Sequence, residues 1–159
     1  MTGVSDIQGS AVVGHLAQVP AWEAEVIICI RLWMDGPDGQ AQLRSAFAQC
    51  FGPEDWRGNW HQMETLFTII SVHARRHFIC HGLTCSCIGS DEAVLQTLVR
   101  EAARGDLAEA AMIAGLLVRA SYAEPTALIA AQVGQILQRI GGLAPQTAPP
   151  PTATARTLH

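Results

Sequence analysis

The stretch NWHQMETLFTIISVHARRHFICHGLTCSC, residues 59–87, joins a helical pattern to a cluster of histidines and cysteines. Its apolar residues recur every three or four positions, which is the period of an amphipathic α-helix. The residues of this stripe are Met63, Leu66, Phe67, Ile69 and Ile70. The pattern predicts a helix that begins near Asn59 or Trp60, runs to about Cys80 and ends before Gly82.

The same helical period recurs on both sides of this stretch. It predicts five more helices, over about 20–34 and 38–51, from Ser90 or Asp91 to just before Gly105, from Asp106 to about Ala120, and from Glu124–Pro125 to Ile140. The helix after Asp106 is almost wholly apolar, which predicts a central position in the fold. We find no alternating strand pattern. The predicted fold is therefore all-α, an antiparallel bundle of about six helices with a His/Cys metal-binding loop at a helix end.

Composition divides the chain into three parts. Residues 1–19 lack a strong period and are expected to form a loose N-terminal arm, and residues 20–140 form the helical metal-binding domain. Residues 141–159 are rich in Pro, Thr and Ala and almost free of charge. Such a segment buries too little apolar surface to offset its ordering entropy, so we expect a disordered tail.

The balance of charged and apolar residues bears on possible partners. Only 15% of residues are charged, against roughly 25% in typical soluble domains, and 49% are apolar. Some apolar surface is therefore expected to contact a second copy of the chain or another protein. The net charge is −4 and no basic stripe is present, which disfavours nucleic-acid binding. All ten basic residues are arginine, which is typical of GC-rich coding and suggests a bacterial source.

The lack of a recognisable secretory or membrane-spanning segment, together with the cysteine usage, predicts a cytoplasmic protein. The first residues do not resemble a secretory signal, and no apolar run is long enough to span a membrane. The number of cysteines is odd, and three of the five lie within residues 80–87. A disulfide framework would spread an even number along the chain, so reduced thiols are expected.

The cluster itself holds three of the six histidines and three of the five cysteines within residues 73–87. On a helix, the spacing of four residues between His77 and His81 would let two imidazoles bind one ion. The loop after Gly82 would return Cys85 and Cys87 to them. Four mixed nitrogen and sulfur ligands suit zinc. We therefore predict a zinc site whose ligands are His77, His81, Cys85 and Cys87, with His73 and Cys80 as possible replacements.

Other interpretations of the cluster stay open. His73 and Cys80 are also compatible with ordinary core positions. An iron–sulfur cluster would use Cys50, Cys80, Cys85 and Cys87, but their spacing is not typical of such clusters. Asp91 and Glu92 follow directly, and acids are favourable at the start of a helix in any case.

Three functions are compatible with a zinc site of this kind. The favoured one is a non-enzymatic protein that acts through protein–protein interaction or regulation, with zinc mainly structural. The first alternative is a thiol-based metal or redox sensor. The second is a zinc metalloenzyme with an open coordination position and Glu92 as base. Catalytic activity is uncertain, because no nucleophile triad, phosphate loop or dinucleotide motif is recognisable.

Overall fold

The structure, a computed structural model, describes residues 9–143, with side chains described through Ile140. It is mostly helical. Its six α-helices are α1 (Ala21–Met34), α2 (Pro37–Cys50), α3 (Trp56–Val72), α4 (Ser90–Ala103), α5 (Leu107–Leu117) and α6 (Ala123–Leu143). Two short antiparallel strands, β1 (Val12–His15) and β2 (Cys87–Gly89), form a small sheet, and two 3₁₀ turns cover Leu16–Gln18 and Ala120–Tyr122. The mainly helical class and the six helices agree with the prediction, whereas the sheet was not predicted.

Two helix starts follow directly from local sequence. Asp106 lies just before α5 and its side chain accepts a hydrogen bond from the Glu109 backbone N–H at 3.1 Å. This bond satisfies one of the amide groups that a helix leaves free at its first turn. Pro37 opens α2 at a position where proline needs no hydrogen bond.

The end of α3 differs from the prediction. The helix ends at Val72, not near Cys80, and residues 73–86 form an irregular loop. Ala74 forms an isolated antiparallel bridge with Val118, and the Arg75 N–H donates to the Leu117 carbonyl at 3.0 Å. The His73 ring stacks on Tyr122, with 3.8 Å between ring centroids. Hydrogen bonds to this distant segment thus replace the helical ones that the spacing of apolar residues predicts.

The core lies where α4 packs against α5 and α6, with α1 and α3 closing its other side. Its largest fully buried side chains include Ile27, Ile30, Met63, Phe67 and Leu98. The predicted central position of α5 is wrong. This helix buries Ala110, Ala114 and Leu117, whereas Met112 is 71% exposed and Leu116 is 63% exposed.

Several predictions concern residues beyond or near the limits of the described structure. Residues 1–8, which are the first part of the expected arm, and residues 144–159, which are nearly all of the expected tail, lie outside the described residues. Within the described part, β1 belongs to the segment expected to be a loose arm, and it pairs with β2. None of the helices found among residues 9–143 has both the length and the apolar character required to cross a bilayer.

Candidate thiol site

Arg31, on α1, lies at the centre of the hydrogen bonds that fix the end of the loop at Cys85 and the start of β2 at Cys87. It is 2% exposed, and its guanidinium donates to both carboxylate oxygens of Glu92, at 2.6 and 3.0 Å. The same guanidinium donates to the carbonyl oxygens of Cys85 and Cys87, each at 2.6 Å. Arginine suits this position because its planar fork of donors stays charged and can serve several acceptors at once. One buried side chain thus joins α1, α4 and the loop.

Glu92 completes this buried network from the first turn of α4. Its side chain is fully buried, and it accepts a further hydrogen bond from the Gly89 backbone N–H at 2.9 Å. Both carboxylate oxygens are therefore occupied by donors within the protein. A carboxylate held in this way positions the loop, which differs from the role of general base considered for Glu92.

The neighbouring acid, Asp91, holds an earlier part of the loop. It is 3% exposed and accepts hydrogen bonds from the Arg76 guanidinium at 2.5 and 2.9 Å and from the Ile79 backbone N–H at 2.9 Å. The two acids at the start of α4 thus bind the loop at two points. Charge-assisted bonds of this kind are stronger than neutral ones, so the loop is firmly held.

His81 and Cys85 are in contact on this anchored loop. The Cys85 Sγ lies 3.6 Å from the His81 Nδ1, and the His81 Nε2 lies 2.8 Å from the Ser10 carbonyl oxygen. A carbonyl can only accept, so Nε2 carries a proton and Nδ1 faces the thiol. Gly89 leaves room for the imidazole, because a Cβ at this position would lie 2.7 Å from the His81 Cδ2.

The contact changes the acidity of both groups. The hydrogen bond from His81 is the main cause that lowers the pKa of the Cys85 thiol, and the backbone N–H and thiol of Cys87 contribute in the same direction. The bond to Cys85 also raises the pKa of His81, as does the Ser10 carbonyl. Each shift favours the charged form of its group, so the two together favour a thiolate beside an imidazolium.

Cys80 shows how differently a thiol behaves a few residues away. It is partly buried, and burial together with the nearby Glu92 carboxylate raises the pKa of its thiol to about 12. Burial likewise raises the pKa of the Cys29 thiol in α1. Cys80 and Cys29 are therefore protonated at neutral pH, and Cys85 is the cysteine whose surroundings promote reactivity.

The predicted zinc ligands are brought together only in part. His81 and Cys85 touch, Cys87 adjoins Cys85, and His77 is exposed on the loop. The predicted helical spacing of His77 and His81 is wrong, because both lie beyond the end of α3. Across residues 9–143, no group of three or more His, Cys, Asp or Glu side chains is arranged to hold a metal ion. A zinc site at these four residues would require side chains to move, and the ligand set stays a prediction.

Arg31 is the residue of this region that sequence reasoning missed. It is the one charged residue within VIICIRLWM, residues 26–34, and it follows Ile27 by four positions on the buried side of α1. A lone arginine inside an apolar helix is rarely buried without a partner. That pattern could have indicated a buried acid elsewhere in the chain, although not which one.

Comparison with known proteins leaves the site to be interpreted from its own geometry. No protein-family model matches the chain, and no match was found among curated proteins or solved structures.

Proposed function

We propose that the protein is a non-enzymatic, thiol-based sensor in which Cys85 is the responding group. The observation that carries this proposal is the contact of 3.6 Å between the Cys85 Sγ and the His81 Nδ1. A thiolate is the reactive form of cysteine, and a neighbouring imidazole is a common means of stabilising it. Cys85 is also partly exposed, so a reagent in solution can reach it.

The anchoring network supports a sensing role more than a purely structural zinc site. A structural zinc ion would cross-link the loop to the rest of the fold. Here Arg31 and Asp91 already provide such links through buried hydrogen bonds. These links support a loop that keeps its position without a metal ion, so that its partly exposed thiols, Cys85 and Cys87, could respond to a ligand or oxidant.

The same network offers a route from the thiol to the helices. Any change at Cys85 that moves its backbone alters the bond between its carbonyl and Arg31, which lies on α1 and is paired with Glu92 on α4. A protein partner that binds the exposed apolar side chains of α5 and α6 could respond to such a change. These are Leu107, Met112, Leu116 and Leu128. An apolar surface of this kind favours protein contact, with a second copy or a different protein.

The pH dependence of alkylation tests the proposal. Because the pKa of Cys85 is lowered, its thiolate persists to lower pH than that of an ordinary cysteine, and reactivity falls as pH drops through this lowered value. At pH 7 we expect Cys85 to react with iodoacetamide on the order of tenfold faster than Cys50. Cys50 is an exposed cysteine at the end of α2 and serves as the internal control. Peptide mapping by mass spectrometry gives both rates in one sample.

The variant His81→Asn provides the matched comparison. Asparagine retains a polar side chain but has no imidazole to stabilise the thiolate, so the midpoint of the Cys85 pH profile should move to higher pH. Equal rates for Cys85 and Cys50, or a profile that His81→Asn leaves in place, would count against the sensor.

A second candidate, reversible zinc binding, is favoured by the orientation of His81. Histidines that bind metals usually donate their other ring N–H to a carbonyl or carboxylate. The Nε2 of His81 lies 2.8 Å from the Ser10 carbonyl in this manner, with Nδ1 toward Cys85. The proposed ligands remain His77, His81, Cys85 and Cys87. Zinc suits them because thiolate and imidazole ligands both bind it well.

Metal analysis distinguishes these roles for zinc. If zinc binds, the Cys85→Ser and Cys87→Ser variants should lose it, and zinc should slow the alkylation of Cys85 in the unmodified chain. Because buried bonds already hold the loop, we expect far-UV circular dichroism to stay unchanged after chelation. Loss of helical signal on chelation would instead indicate structural zinc. Less than about a tenth of an equivalent of metal in protein prepared without chelators would contradict zinc binding altogether.

A further inference from the structure

We infer that two copies of this chain pair through the exposed face of α5, with the two helices antiparallel about a twofold axis. The inference goes beyond the proposed function, because it names a second copy as the partner at this surface. It does not require a reactive Cys85, so the pairing and the thiol chemistry are tested separately.

Helix α5 is apolar on the side that faces solvent as well as on the side that faces the core. The one charged residue within its eleven positions is Glu109. Its solvent side carries Met112 and Leu116, which are both large and mostly exposed. A helix that is apolar all round is normally covered all round. This face therefore calls for a cover from outside the described part of the chain.

A shallow apolar groove beside α5 could receive a side chain from such a partner. It lies between α4 and α5 and has a volume of about 220 Å³. Its lining contains no charged residue and consists of Ala93, Val94, Thr97, Ile113 and Leu116. Met112 projects from the same helix, and methionine adapts its shape readily to an irregular apolar space. Each copy thus offers both a projecting side chain and a groove, as helix-to-helix packing requires.

The order of residues along this face favours a second copy over an unrelated protein. Glu109, Met112 and Leu116 are spaced by three and four positions, so they share one side of the helix. Arg119 follows just after the helix end. In an antiparallel pair centred on position 114, Met112 lies opposite the partner's Leu116. The same centre places Glu109 opposite the partner's Arg119. A twofold interface needs such reciprocal contacts.

The charges at the two ends of α5 are complementary in this arrangement. Glu109 and Arg119 are both exposed, and among residues 9–140 neither side chain has a hydrogen bond or an ion pair. Arg75 adds a second cation near the end of α5, where its guanidinium donates to the Gly115 carbonyl at 2.8 Å. An antiparallel pair brings the acidic start of each helix to the basic end of the other, and it also sets the helix dipoles in a favourable orientation. A parallel pair would place like charges together.

The pairing should be weak and should depend on protein concentration. A helix of eleven residues buries less than the roughly 800 Å² per partner that stable complexes bury, so we expect a dissociation constant on the order of 10–100 μM. Sedimentation velocity of the full chain from about 5 to 500 μM should show a monomer–dimer equilibrium. Dithiothreitol and a chelator exclude pairing through a disulfide or a metal ion. A monomer over the whole range would overturn the inference and leave the face to a different protein.

Charge reversal tests the antiparallel pairing at exposed positions that do not belong to the core. Glu109→Arg gives each copy two cations at the facing positions, and Arg119→Glu gives each copy two acids. Each variant alone should dimerise roughly tenfold more weakly at low salt, because like charges then face each other. An equal mixture of the two should regain the affinity of the unmodified chain, since the cations of one copy face the acids of the other. A mixture that dimerises no better than either variant alone would overturn the pairing.

The variant Met112→Glu tests the apolar centre of the pair. It should weaken dimerisation at least about tenfold, because two carboxylates would be buried near the twofold axis. The matched control is Leu83→Glu, which places the same charge at a 45% exposed leucine in the loop after α3. This control should leave the dissociation constant unchanged, and equal weakening by both variants would overturn the assignment to α5. Alkylation of Cys85 decides the sensor independently, since a monomeric chain with a reactive Cys85 would contradict the pairing alone.

Discussion

The variant Glu92→Ala should lower the free energy of unfolding by about 3–5 kcal/mol, because it leaves the buried guanidinium of Arg31 without its carboxylate partner. Arg31 and Glu92 are 2% and 0% exposed, so water cannot replace the lost interaction without opening the fold. The alanine also removes the acceptor of the Gly89 N–H. Urea denaturation followed by circular dichroism measures the change.

A double-variant cycle is the control for this prediction. The pair Arg31→Met with Glu92→Leu removes both charges, so its cost should be clearly smaller than the sum of the two single costs. Such non-additivity would identify the ion pair, and not the volume of either side chain, as the source of the effect. A loss below about 1 kcal/mol for Glu92→Ala would show that the buried network is not formed in solution.

The second large effect is expected at the contact between α4 and α6. A Cβ at Gly134 would lie 2.6 Å from the Ala103 Cβ and 3.1 Å from the Val99 carbonyl oxygen. The variant Gly134→Ala should therefore separate the helices and cost about 1–3 kcal/mol of stability, despite the better helix propensity of alanine. The shift in the urea midpoint gives the magnitude.

Gly115 on α5 is the matched control, because it also lies inside a helix but has open space around it. A Cβ there meets no atom within 4 Å. Gly115→Ala should therefore stabilise the protein by about 0.5–1 kcal/mol, since alanine loses less backbone freedom on folding. The two variants should shift stability in opposite directions, and the same sign for both would contradict the close packing of α4 and α6.

The helices were predictable from sequence because each has its own apolar period and boundary residues. The end of α3 was not, because the bonds that replace its last turns come from residues 117–119, which are distant in sequence. The two strands are only four and three residues long, too short for an alternating pattern to be distinguished. When hydrogen bonds to a distant segment replace helical ones, a prediction from the spacing of nearby apolar residues makes the helix too long.

The candidate site was predictable in location but not in structure. The density of histidine and cysteine pointed to the segment that forms this loop, and the loop brings His81 and Cys85 together. The helical spacing invoked for His77 and His81 does not exist. Arg31 could not be assigned to the site, because it lies 54 residues before Cys85 and only folding brings them into contact.

The small sheet makes the N-terminal segment part of the thiol chemistry. Ser10, just before β1, supplies the carbonyl next to the His81 Nε2, and β1 is largely exposed where it pairs with β2. A protease, a tag or a binding protein that draws this segment away would release the imidazole and alter the acidity of Cys85 without touching the loop. Under the proposed function, the reactivity of Cys85 would report whether residues 10–15 are in place.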